Sequence, residues 1–209
     1  MANDQSSLQG LRPFVQPGER VRINYYRANT GLALYRFQPV AMNNSGQVQI
    51  HPLIAALSPL LGTSIGFLDL AQAGLPTNLT DLGQNAFLDS LSSDALMAVS
   101  DDINQLYSLE EDTGGTLIGS ENSSGQVALW TYEATTGNTT TGVSTTVLDR
   151  STLATGTGAT LTLVRALREI VNQDGTINST AGDYAKWVVR INTHQMSQNQ
   201  PWARTLWPS

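Results

Sequence analysis

Apolar and polar positions alternate with a period of two at several places in this chain, and stripes of helical spacing are scarce. In Arg20 to Arg27 (RVRINYYR), Val21, Ile23 and Tyr25 alternate with Arg20, Arg22 and Asn24, as in a strand with one buried face. A second strand is expected over Gly31 to Phe37. Asn43-Asn44-Ser45-Gly46 then supplies residues that tolerate positive φ, so a tight hairpin turn should precede Gln47 to Ile50. The phrase returns as NSSGQV at Asn122 to Val127, which implies a second hairpin of like design. Leu53 to Leu61 (LIAALSPLL) has the pattern of a short helix cut by Pro59, and Ser64 to Leu70 reads as a strand. No firm period is present from Ala71 to Leu91.

Leu96 to Val99, Gln105 to Leu109, Val127 to Ala134 and Thr145 to Leu148 are strand-like in turn. They are divided by Asp101-Asp102, by Thr113-Gly114-Gly115 and by the Thr- and Gly-rich Thr135 to Gly142, expected to be an exposed loop. Thr160 to Asn172 is read as a strand leading into a short helix. Tyr184 to Asn192 (YAKWVVRIN) forms a clean last strand with Ala185, Trp187, Val189 and Ile191 on one face. The flanks differ. Residues 1–19, with Pro13, Pro17 and Gly18, read as an extended N-terminal arm, and residues 195–209 as a second arm. Between them, 20–194 is a β-rich domain. Roughly eight to ten short strands spaced by turns predict an all-β fold, a barrel or a sandwich, with minor helix.

At 209 residues the chain is long enough for a substantial core. Its lack of cysteine removes disulfides, thiolate metal sites and a cysteine nucleophile from consideration. Apolar runs are too short to span a bilayer, and MANDQSSLQG has neither the basic nor the apolar region of a secretion signal. Charge is segregated along the chain. No Lys or Arg occurs from Phe37 to Asp149, where twelve acidic residues give −12, while the flanks carry eleven basic and five acidic residues. An acidic middle stays solvated and repels nucleic acid, and basic flanks can dock on an acidic surface. A pI of about 4.7 and a single lysine, Lys186, argue against nucleic-acid binding.

Candidate chemistry is sparse. Gly62-Thr63-Ser64-Ile65-Gly66 matches the G-x-S-x-G nucleophile elbow, with Asp101 and His194 following in hydrolase order, yet no strand–helix units surround it. A small serine hydrolase using Ser64 is the weakest of the readings. His51 and His194 have no second histidine at ligand spacing and read as surface or interface residues. Asp101-Asp102 and Glu110-Glu111-Asp112 lack EF-hand spacing and read as solvated acidic turns. Five N-x-[ST] matches, at Asn43, Asn78, Asn122, Asn138 and Asn178, are by-products of composition. Neither a catalytic residue, a metal site nor a cofactor is expected. Trp130 and Trp187 fall within strands and read as core; Trp202 and Trp207, beside Pro201, Arg204 and Pro208, have the character of interface anchors.

Four phrases carry a resemblance to the head decoration, or cement, proteins of tailed bacteriophages. They are VRINYYRANTGLALYRFQPVAMNNSGQV (Val21 to Val48), DDINQLYSLEEDTGGT (Asp101 to Thr116), TYEATTGNTTTGVST (Thr131 to Thr145) and DYAKWVVRINTHQ (Asp183 to Gln195). The resemblance implies a non-enzymatic, β-rich virion protein, commonly a homotrimer. It would sit on the outer capsid surface after assembly in the host cytoplasm, with the major capsid protein and sister subunits as partners and neither nucleic acid nor membrane. Contacts would fall on the arginine-bearing flanks and arms: Arg12, Phe14, Arg20, Arg22, Arg27, Arg36, Trp202, Arg204 and Trp207. The acidic middle would then face solvent. A tail or baseplate β module, such as a carbohydrate binder, shares this composition and is the alternative.

Overall fold

Threonine, valine and aromatic residues fill the paired segments, and in the computed structural model every regular element among the described residues is a β-strand. The structure describes residues 10–16, 18–29, 34–51, 59–69, 87–88, 95–112, 127–138, 143–154, 160–168, 177 and 184–197. In chain order the strands are β1 (Arg12–Phe14), β2 (Asn24–Arg27), β3 (Leu34–Tyr35), β4 (Pro39–Met42), β5 (Val48–Ile50), β6 (Gly62–Asp69) and β7 (Phe87–Leu88). They continue with β8 (Ala95–Ser100), β9 (Leu106–Glu110), β10 (Val127–Asn138), β11 (Val143–Ala154), β12 (Leu161–Ala166) and β13 (Lys186–Ile191). A six-stranded sheet runs β1-β9-β13-β12-β10-β11, a five-stranded sheet β2-β8-β6-β4-β5, and β3 pairs with β7. All ladders are antiparallel.

Both large sheets roll without closing. Single parallel bridges link Glu111 to Leu148 at one edge of the larger sheet and Ala28 to Val48 across the smaller, but no ladder joins their edge strands. Of the two architectures the sequence allows, this is the open, sandwich-like one. The core divides accordingly. Trp187, Tyr107, Leu109, Leu148, Leu161, Leu163, Val189 and Ile191 form part of one cluster. Val40, Val48, Phe67, Met97 and Val99 form part of another, with Tyr26, Met42 and Ile50 packed against it. Consecutive residues serve opposite clusters: Leu60 belongs to the first and Leu61 to the second.

That junction is pinned by backbone bonds. Leu60 N donates to Thr193 O and Gln195 N to Leu60 O, both at 2.8 Å, while Leu61 N donates to Val40 O at 2.8 Å. The Gln195 side chain adds a reciprocal pair, accepting from Met42 N at 2.6 Å and donating to Met42 O at 3.1 Å. Residue 195 therefore belongs to the packed body rather than to an arm. The same correction applies at the other end. Leu11 is buried, β1 pairs with β9, and Gly10 N donates to Thr146 O at 2.9 Å, so 10–14 complete the larger sheet. Pro13 is no obstacle there, because β1 is an edge strand and needs no donor on its open side.

Further expectations resolve in both directions. The turn at Asn43 forms as read: its side-chain oxygen accepts from Ser45 N and Gln47 N at 2.9 and 3.0 Å, and Gly46 has φ +74°. Ala185, Trp187, Val189 and Ile191 all enter the first cluster. The first half of the loop expected at Thr135 to Gly142 is strand, since β10 runs to Asn138 and pairs with β11 from Val143; residues 139–142 lie outside the described residues. Pro59 to Leu61 is not helical, its central residue forming a bridge to His194. Residues 52–58, most of 71–91, 122–126 and 169–176 lie outside the described residues. The face assigned to β2 is inverted. Tyr26 packs inward, whereas Ile23 and Tyr25 are exposed.

Gly62 opens β6 where the backbone of the next strand is close. A Cβ there would stand 1.9 Å from the Ser100 carbonyl oxygen, whereas one on Gly46 would meet nothing within 4 Å. Gly62→Ala is expected to destabilise by about 3 kcal/mol or more, and Gly46→Ala by only about 1 kcal/mol from its backbone angle. Urea unfolding followed by tryptophan fluorescence measures both, and equal losses would contradict the close approach.

Candidate functional site

The G-x-S-x-G serine lies inside β6, fully buried. Its hydroxyl donates to Tyr35 O at 2.6 Å and accepts from Gln38 N at 3.0 Å, so Ser64 ties the strand to the turn before β4. An elbow needs an exposed Oγ at a strand-to-helix turn; this serine is a structural tie. His51 and His194 are also buried within the chain, contrary to the surface or interface positions expected. His194 Nδ1 accepts from Met196 N at 3.0 Å, and burial lowers its pKa against the opposing pull of Asp101 and Asp102.

The acidic middle is likewise not simply a solvated surface. Glu110 and Glu111 are fully buried. Lys186, at the start of β13, stands opposite Glu110 of β9, with Nζ 4.0 Å from the carboxylate. Arg150 on β11 donates through Nη1 to Glu111 at 3.4 Å and lies 3.8 Å from Asp112. Trp187 Nε1 donates to the other Glu111 oxygen at 3.2 Å. Burial of a carboxylate favours its neutral form, and here it outweighs the indole and the guanidinium, raising Glu111 to about 7. One sign in the sequence points this way: the chain's single lysine stands directly before the apolar run Trp187 to Val189, where a buried ammonium needs an acid beside it.

A second polar centre organises the N-terminal flank. Asp101, just past β8 and buried, accepts from Asn24 Nδ2 at 3.0 and 2.8 Å and from the Tyr26 hydroxyl, and Arg22 Nε lies 3.7 Å away. Burial and this carboxylate raise the Tyr26 phenol far above its ordinary range, keeping it a donor. These bonds turn Asn24 and Tyr26 inward and so drive Ile23 and Tyr25 outward.

Beside this centre lies an open cleft of 330 Å³. Phe14, Glu19 and Arg20 form one wall and Asp102, Asn104 and Gln105 the other. Each wall is a locked turn. Glu19 N donates to Gln16 O at 3.0 Å while the Glu19 carboxylate accepts from Gln16 N at 3.2 Å. Opposite, Gln105 N donates to Asp102 O at 3.0 Å and Asn104 N to Asp102 Oδ1 at 2.8 Å. Gln105 Nε2 bridges the walls by donating to Phe14 O at 2.9 Å. Val15, Ile23, Tyr25 and Ile103 are large apolar side chains between 39% and 45% exposed. Val15 and Ile103 each lie between cleft-lining neighbours, while Ile23 and Tyr25 belong to the outward face leading into and along β2.

The residues singled out from the sequence are dispersed over this geometry. Phe14 and Arg20 meet in the cleft. Arg22 pairs with Asp101, and Arg27 is exposed at the end of β2. Arg12 and Arg36 instead lie over the Phe37 ring, at 4.9 and 5.0 Å from its centroid, and stiffen the fold. Trp202, Arg204 and Trp207 lie outside the described residues. No sequence signal marks Asn104 or Gln105, because nothing local places a polar loop against a turn eighty-odd residues earlier. A scan against family models, a search of curated proteins and a search of solved structures each find no match to this chain.

Glu111 gives stability a definite pH dependence. Between the ordinary carboxyl value of 4.5 and about 7 the folded chain holds a proton that the unfolded chain releases. This contribution is therefore complete at low pH and declines as pH rises through that window, by at most about 1.4 kcal/mol per pH unit. Glu111→Gln should remove the declining component, as measured by urea midpoints from pH 4.5 to 7. An unchanged pH profile would contradict the assignment.

Proposed function

We propose that this chain is a non-enzymatic structural protein of a tailed-phage virion. It binds the outer surface of the capsid and reinforces contacts between major capsid protein subunits, acting with sister subunits as a homotrimer. The sequence phrases quoted above motivate the class. The observation that carries the docking role is the outward face of the β2 segment, where Ile23 and Tyr25 are exposed and Arg22 and Arg27 flank them. Aromatic and arginine side chains together are the favoured anchors of protein interfaces, because each combines large area with a polar handle. A cement protein works by adding buried area across joints between capsomers, and many copies on one shell gain avidity that no single contact has. The buried charge pairs and the buried Ser64 hydroxyl, which both donates and accepts, fit a body built for rigidity.

Mixing the purified protein with phage heads assembled without it, then counting copies per shell by quantitative gel and cryo-microscopy, tests the reading. Saturating coverage over the shell is expected. An Ile23→Asp, Tyr25→Asp double variant, its fold verified by circular dichroism, should bind at least about tenfold more weakly, as loss of a central anchor does. Attachment only at one end of the particle, or unaltered binding by the variant, would overturn the proposal or its docking face respectively.

A further inference from the structure

The cleft between the Gln16–Glu19 turn and the Asp102–Gln105 turn has features that docking by β2 does not use. Its two walls are prearranged, because each turn is closed by its own backbone bond and by a side-chain bond, and Gln105 ties one to the other. Little conformational entropy is left to lose on binding a ligand there. The functional groups that remain are complementary in kind. Gln105 spends its amide donor on Phe14 O and Leu106 O, which fixes its side-chain oxygen as an acceptor. Asp102 keeps one carboxylate oxygen beyond the bond to Asn104 N. Arg20 is exposed and makes no ion pair with the described residues, and the Asn104 amide is exposed as well.

This set interleaves donors and acceptors over a short distance, which is what adjacent hydroxyl groups require, since each hydroxyl both donates and accepts. Phe14 supplies an apolar wall, its ring steadied by the Arg165 guanidinium 5.3 Å from the centroid, and Val15 and Ile103 add apolar surface beside the cleft. Charge selects further. Two carboxylates, Glu19 and Asp102, line the cleft with one guanidinium, Arg20, and the Arg165 guanidinium stands at the Phe14 ring, so the site has no net positive charge to favour a phosphate, sulfate or carboxylate over a neutral ligand. The volume, 330 Å³, is at the low end of the ~300–1,000 Å³ typical of ligand pockets and suits a short ligand in an open groove.

We infer that this cleft is a binding site for a neutral oligosaccharide, with Arg20, Asp102, Asn104 and the Gln105 oxygen bonding vicinal hydroxyls and Phe14 packing against the C–H face of a sugar ring. The site is independent of the docking role proposed above and is tested on the free chain. Isotope-labelled intact protein is titrated with a panel of neutral mono- to tetrasaccharides of glucose, galactose, mannose and N-acetylglucosamine, with a sulfated and a sialylated sugar as controls, and amide shifts are followed. At least one neutral sugar should shift amides confined to 14–20 and 102–106. Arg20→Ala and Asn104→Ala, both at exposed positions, should each weaken binding about tenfold, the size expected for one lost hydrogen bond in a ligand site. The inference is overturned by no shifts at tens of millimolar sugar, by shifts elsewhere, by binding of the anionic controls alone, or by unaltered affinity in both variants. None of these results bears on attachment to heads.

Discussion

Two apolar clusters in one chain need a joint, and the rest of this structure depends on the three residues that make it. Leu60 and Leu61 point into different cores; Leu60 is bonded through its amide and carbonyl to the segment after β13, and Leu61 through its amide to β4. A residue inserted or removed here would exchange the two faces, since side chains alternate along extended chain. Gly62 follows at once because the Ser100 backbone leaves no room for a side chain. What looked like the first letter of a hydrolase motif is a steric requirement of this joint.

Around the joint, polar groups are used to fix geometry. Asp101 gathers Asn24 and Tyr26 from β2 and Arg22 from the residues leading into it, and thereby decides which face of β2 is wet. Glu111 does the same on the larger sheet, collecting an indole from β13 and a guanidinium from β11 where the sheet curls back on itself. Buried ionic pairs of this sort add little net stability, because desolvation offsets most of the attraction, yet breaking one side leaves a charge stranded in the interior. Their effect is to make alternative registers expensive. Rigidity in turn serves a protein that works by presenting fixed surfaces.

The sequence revealed most where structure is local. The Asn43 turn, the inward face of β13 and the all-β class could each be read from a few consecutive residues, because turn chemistry and alternation act over that range. It revealed least where a partner is distant. Ile23 and Tyr25 alternate as well as any buried pair, and only Asp101, some 75 positions away, turns them outward. Glu110 and Glu111 look like a solvated run until Lys186 and Arg150 are placed beside them. Phe14 and Arg20 were picked out for their type, but the loop that makes a cleft with them was not. Pro13 argued for an arm, and an edge position accommodates it.

Strand order also dictates when each half can be completed during synthesis. Every strand of the five-stranded sheet is complete once Ser100 is made, so that half can pair as soon as β8 has emerged. The six-stranded sheet cannot, because β13, third in its order and flanked by β9 and β12, is the last strand described. Until Ile191 is joined to the chain, β9 and β12 have no common neighbour and expose open edges to other nascent chains. The ladders of the smaller sheet can thus form while the larger one waits, and β13 with the residues just after it, which bond Met42 and Leu60, joins the two halves.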